Sequence, residues 1–256
     1  MSDATKQQPL IQSVSRAISI LRCFDGKSLL GLSEISRLLG LHKSTTSGIV
    51  NTLKAEGFLE QDDLTGKLRL GLGLFSLAVQ ARRDLTEICD PYLTALLELT
   101  GETVNLAVLD KLDIVYIGKK ESSHSVRIST SVGTHLPVYC TAIGKVILAF
   151  MERSKAEAIV NQIDFKSYTS NTITNKEEFF KAIEKVGSEG IAYDFEEFED
   201  GVICIASPLR NKSGETVAAI SVSGPTRRLD ENTQEHVVEA IKKVTSQIGG
   251  ELSRLV

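Results

Sequence analysis

Apolar residues recur at helical spacing at Val14, Ala17, Ile18 and Leu21, with Phe24 on the same face and Asp25-Gly26-Lys27 behind it. This pattern predicts an amphipathic helix capped by Ser13 and stopped at the glycine. Ile35, Leu38 and Leu39 predict a short second helix, with Ser33 as its N-cap and Gly40 at its end. Ile49, Val50 and Leu53 predict a third, starting near Lys43 and closed by Gly57. The period then falls to two. Leu68 and Leu70 alternate with Lys67 and Arg69 beyond Gly66, which predicts a hairpin over residues 60–70.

Further along, Leu74, Leu77, Ala78 and Ala81 give a helical face over residues 72–88. Asp90 before Pro91 reads as a capped start of the next helix, lined by Leu93, Leu96 and Leu97. Strands are expected at Val104–Val108, Ile114–Ile117, Val126–Thr130, Val202–Pro208 and Val217–Val222. Helices are expected near 141–151, 154–161, 175–188 and 230–253. Antiparallel strands with helices on their faces predict an α+β fold for this part. The polar stretch 1–12 is expected to be disordered.

One helix, then two short helices joined at a glycine, then a hairpin form the layout of a winged helix-turn-helix. In that layout the first turn of the second helix of the motif meets base edges in the major groove. Here it carries Lys43, Ser44, Thr45, Thr46 and Ser47, with Asn51 one turn on, none of them suited to a core. Lys67 and Arg69 on the hairpin suit phosphate or minor-groove contacts. Charge supports this only weakly. Residues 1–80 hold nine Lys/Arg against seven Asp/Glu, within a chain of net charge −4. A small α+β module with Ser/Thr helix caps, or one that pairs proteins instead of DNA, fits the same pattern.

The remaining composition excludes more than it assigns. Cys23, Cys89, Cys140 and Cys204 are spaced as neither a disulfide framework nor a metal site, and four scattered histidines add no ligand cluster. No cofactor or metal is expected. The longest apolar runs, such as Val146–Met151, are too short to span a membrane. With a polar N-terminus unlike a signal peptide, a cytoplasmic protein is expected.

The chain resembles the IclR family of transcriptional regulators over residues 11–255. The likeness lies in Ser13-Val14-Ser15-Arg16-Ala17, Gly31–Ser36, Lys43-Ser44-Thr45 and Leu53–Leu59, and more strongly in Leu136–Lys145, Gly190–Asp194, Gly201–Pro208 and Ala218–Pro225. One departure is Gly48, where family members often carry an Arg; close approach of two helix backbones is the other reading of that glycine. The resemblance implies a DNA-binding domain at 13–71, a linker helix at 72–88, and an effector-binding domain at 89–256 with a GAF-like sheet. It further implies a homodimer or homotetramer on double-stranded, pseudo-palindromic operator DNA, acting as a repressor.

A helix starting near Thr141 exposes the backbone N–H groups of Ala142 and Ile143, an anion site in waiting. By resemblance Asp194, Cys204, Ser221 and Ser223 share its cavity, which suits a small organic or sugar acid. Leu136–Lys145 is similar to regulators that respond to 2-keto-3-deoxygluconate. Ser221 and Ser223 equally suit local strand hydrogen bonds, and Cys204 a buried small hydrophobe. A hydrolase using Cys204 or Ser221 with Asp194 and a histidine is the rival reading, but no Gly-x-Ser-x-Gly elbow is present and sequence context places no histidine beside them. An enzyme is not expected.

Overall fold

A computed structural model describes residues 10–80, 83–128 and 130–252, which fall into two compact units, Met1–Arg83 and Asp84–Val256. Residues 1–9 of the stretch expected to be disordered, Ala81 of the expected linker face and Ser129 of an expected strand lie outside the described residues.

The first unit contains α1 (Gln12–Arg22), α2 (Leu32–Leu38), α3 (Lys43–Ala55), β1 (Leu59–Gln61), β2 (Leu68–Leu70) and α4 (Leu72–Gln80). Its core gathers Ile20, Phe24, Leu30, Ile35, Val50, Leu53, Leu59 and Leu68. Fully burying each such side chain contributes about 1.5–3 kcal/mol. The buried face of α1 therefore turns on Ile20, with Ala17 and Leu21 beside it, whereas Val14 and Ile18 are exposed. Leu38 is likewise exposed, leaving Ile35 and Leu39 to face inward. Neither serine cap holds. Ser13 lies inside α1, which starts after Ile11, and α2 starts after Gly31, whose N–H is bound by the Glu34 carboxylate at 2.6 Å.

The second unit is one six-stranded antiparallel sheet in the order β5-β4-β3-β8-β7-β6, from β3 (Thr103–Asp110), β4 (Asp113–Lys120), β5 (His135–Pro137), β6 (Ala192–Phe195), β7 (Val202–Arg210) and β8 (Thr216–Pro225). The helices are α5 (Arg83–Thr100), α6 (Ala142–Ala149), α7 (Arg153–Val160), α8 (Lys176–Glu189) and α9 (Glu231–Leu252), with a 3-10 turn at Val138–Cys140. The strands alternate strictly. Val104, Leu106, Ile203, Ile205, Ile220 and Val222 pack with Leu93 and Leu96 of α5 and Val237 and Ile241 of α9. Ala107, Ala206 and Ala219 pack with Ile143 and Ile147 of α6 and Phe179 and Ile183 of α8.

Two expectations fail here. Pro91 does not open a helix: α5 runs through it from Arg83, with the proline exposed and Asp90 paired to Lys120 at 2.8 Å. Val126, Arg127, Ile128 and Thr130 form no strand. Nearby, Tyr116 of β4 bonds instead to the backbone of Gly133 and Thr134. The short strands β5 and β6 were not anticipated.

Candidate functional site

The first candidate surface is the start of α3. Gly40 adopts φ +61, a left-handed conformation that lets the chain turn sharply between α2 and α3. Ser36 closes the turn by donating to the Leu41 carbonyl at 2.6 Å. His42 caps α3, its Nδ1 2.8 Å from the Ser44 hydroxyl, a role sequence reasoning had left to a spacer. Lys43, Ser44 and Asn51 are exposed, and Thr45 and Ser47 half-buried. Thr46 is different. It is 0% exposed, with its hydroxyl donating to the His42 carbonyl, so it belongs to the core and is removed from the expected DNA contacts. Gly48 is exposed with nothing within 4 Å of where a Cβ would stand, which rules out close helix packing as its reason.

The hairpin β1–β2 pairs Leu59 with Leu70 and Gln61 with Leu68, and Leu30 adds a two-way backbone bridge to Leu68. Asp62 holds the turn by accepting from the Thr65 amide and hydroxyl, and these bonds lower its pKa. Lys67 is exposed. Arg69 is exposed but paired with Glu60 at 3.1 Å, a surface contact weak enough to yield to a phosphate.

The second candidate is a cavity of about 170 Å³ between the sheet and α6. All six residues expected there line it: Ala142, Ile143, Asp194, Cys204, Ser221 and Ser223. Strand register explains the grouping. Asp194 pairs with Cys204, and Cys204 with Ser223, while Ser221 stands opposite Asn105. These small polar residues share the face that carries Ala206 and Ala219 under α6, so the sheet leaves space where larger residues would fill it. Asn105 is buried and bonds to Ser223 at 3.4 Å and to Thr130 at 2.8 Å.

Helix α6 supplies the opposite wall. Thr141 caps it by accepting from the Gly144 amide at 3.2 Å, which leaves the Ala142 and Ile143 amides without intrahelical partners. Sequence reasoning missed Tyr116, Thr130, Ser131, Thr134 and Phe198 in the lining. Thr130 is held there through side chains, by Asn105 and by the Lys119 ammonium on its carbonyl at 2.5 Å, which leaves no period to read.

Asp194 is 4% exposed. Burial pushes its pKa up to about 7, against the opposing pull of the Glu197 amide, which donates to Oδ1 at 2.7 Å, and of Lys145. At neutral pH it can therefore donate or accept a hydrogen bond. Among the described residues the lining contains no Lys, Arg or His, so an anion there would rest on amides and hydroxyls. Burial also raises the thiols of Cys204 and Cys140, the latter to about 12. A thiolate nucleophile is disfavoured, and with no lining histidine the hydrolase reading finds no support.

Comparison with known proteins matches a family model to each part of the chain. Residues 13–63 match the IclR helix-turn-helix domain, and residues 77–249 match the domain described as bacterial transcriptional regulator IclR C-terminal. The chain is 34% identical to the HTH-type transcriptional regulator KdgR of Escherichia coli K12, covering 97% of each. It is 33% identical to the HTH-type transcriptional repressor AllR of Salmonella typhi, over 93% of this chain and 90% of that one. An IclR homolog from Microbacterium hydrocarbonoxydans, crystallised with 4-hydroxybenzoate, shares the fold with a TM-score of 0.85 at 23% identity, covering 94% of this chain and 99% of that one.

Proposed function

The chain belongs to the IclR family of transcriptional regulators, and from that premise we propose that it is a repressor released from a pseudo-palindromic operator by a small organic or sugar acid. Lys43, Ser44, Thr45, Ser47 and Asn51 of α3, with Lys67 and Arg69 of the hairpin, make the DNA contacts. Ala142, Ile143, Asp194, Cys204, Ser221 and Ser223 hold the acid.

The observation that carries the effector half is the cavity itself. The start of α6, at Ala142 and Ile143, lines the cavity together with a strand row of one carboxyl, one thiol and two hydroxyls. A carboxylate on the amides satisfies donors that have no helical partner and gains from the helix dipole. Hydroxyl or keto groups of the same ligand then meet Asp194, Ser221 and Ser223. A 2-keto sugar acid such as 2-keto-3-deoxygluconate offers both kinds of group.

Function follows if acid binding shifts the spacing of paired DNA-binding domains in a dimer or a dimer of dimers. A coupling of about 1–3 kcal/mol, about 5–150-fold in affinity, changes operator occupancy substantially. A thermal-shift screen of organic and sugar acids tests the effector assignment. A stabilising acid is expected, and its effect should vanish in S221A/S223A; stabilisation that survives the double variant would place binding elsewhere.

A further inference from the structure

Beside the cavity lies a buried ion pair that the proposed contacts do not use. Lys145, one turn into α6, pairs with Glu197, which follows β6 by two residues. Both are more than nine-tenths buried, and neither lines the cavity. Such a pair is a poor source of stability, because desolvation offsets its attraction. Glu197 Oε2, moreover, is buried without a hydrogen-bond partner among the described residues. The pair lies where the chain is forced. Glu196, between Asp194 and Glu197, holds φ +59, a left-handed conformation rare for a residue with a side chain.

Four further ties hold that turn in place. The Glu197 amide donates to Asp194 Oδ1 at 2.7 Å. The Thr172 hydroxyl donates to the Glu197 carbonyl at 2.6 Å, and the Thr169 hydroxyl to the Glu196 carbonyl at 2.5 Å. The Glu196 carboxylate accepts from the Gly201 amide at 2.6 Å.

We propose that Lys145 and Glu197 are positioning residues for effector recognition: their ion pair locks the turn after β6 so that the Glu197 amide fixes Asp194 through Oδ1 and the carboxyl is held at the cavity wall. The pair also joins the two walls, since Lys145 rides on the helix whose first amides form the anion site. Glu197 in turn sets the carboxyl opposite. Ligand ends gripped by the amides and by Asp194 are thereby held at a fixed separation, which selects by length as well as by chemistry. This inference rests on the reading of the cavity as the effector site.

The charge on Asp194 reports the arrangement. The groups that act on it or face it are Lys145 and Cys140 from the α6 side, Tyr116 of β4, Cys204 of β7 and the Glu197 carboxylate and the Glu197 and Phe198 amides of its own turn, with Glu199 lining the same cavity at its exposed rim. Lys145 and the Glu197 amide favour the carboxylate and outweigh the Glu197 charge, which opposes it. Loosening the pair removes one and misplaces the other, so the Asp194 midpoint must rise.

The test is a carbon-13 titration of the full chain labelled at aspartate carboxyls, with D194N identifying the signal. It is paired with calorimetric titration of 2-keto-3-deoxygluconate. In K145M/E197Q, which leaves no lone buried charge, the loss of Lys145 outweighs the loss of the Glu197 charge and the amide is misplaced, so the Asp194 midpoint is expected to rise and acid affinity to fall about tenfold. A folded double variant with the wild-type midpoint would overturn the proposal. If that variant does not fold, T172V removes one tie without touching a charge; a smaller rise supports the proposal and an unchanged midpoint overturns it. A midpoint that rises in a protein whose wild type binds no acid supports the control of Asp194 and overturns the effector reading instead.

Discussion

Gly144 and Val138 approach so closely that a Cβ on Gly144 would stand 2.0 Å from the Val138 carbonyl oxygen. The first turn of α6 is thus seated directly on the 3-10 turn that precedes it, and this contact places Ala142 and Ile143 at the cavity. Gly144→Ala cannot be absorbed by a side-chain rotation, because the obstacle is backbone. It is expected to cost about 3 kcal/mol or more and to abolish acid binding. Thermal unfolding with calorimetry checks this; a variant that melts and binds like the wild type would show that α6 can shift freely.

Asp194 ties stability to pH. Burial has raised its folded-state pKa from the ordinary 3.8 to about 7. The folded state therefore holds the proton more tightly than the unfolded chain. The stability this supplies is complete below pH 3.8 and is lost as pH rises through about 7, with a ceiling of about 4 kcal/mol. Asp194→Asn stays neutral and keeps an acceptor for the Glu197 amide. Its Tm relative to wild type should climb between pH 5 and pH 8 while acid binding weakens. A Tm difference that is flat with pH would contradict the assignment.

Gly48 is a gap in the α3 surface with open space around it. Gly48→Arg should stabilise the helix by about 0.5–1 kcal/mol and add one cation facing DNA. The expected result is tighter DNA binding and a salt dependence steeper by about 0.9 in log–log slope. Unchanged slope would mean that this face of α3 lies away from the phosphates.

Lys43 and Thr46 separate contact from support. Lys43→Ala should weaken binding across sequences and reduce the salt slope by about 1. Thr46→Val should leave the slope alone and cost about 1 kcal/mol of folding stability, the worth of its hydrogen bond to the His42 carbonyl. Anisotropy titrations at several salt concentrations, with denaturant unfolding, check both. A changed slope in Thr46→Val would return that residue to the interface.

The sequence was most legible where period and register act together. Alternation in β7 and β8 puts Cys204, Ser221 and Ser223 on one face, so a reading of strands alone brings them near each other. It was least legible where an amphipathic pattern has two apolar stripes. In α1, Val14 and Ile18 suit a core as well as Ile20 does, and only packing against α3 decides between them. Thr46 misled because a polar residue can be buried when its hydroxyl is satisfied one turn back. The 130–134 segment was illegible because it is held through Asn105, Lys119 and Tyr116. Pro91 misled because an exposed helix position tolerates the loss of one backbone bond.

The most direct test is the affinity of the full chain for a duplex selected from a random pool, measured with and without saturating 2-keto-3-deoxygluconate, in wild type and in S221A/S223A. The account predicts that the acid weakens wild-type binding by about 5–150-fold and leaves the double variant unchanged. Equal DNA affinity with and without acid, under conditions where calorimetry shows the acid bound, would contradict it.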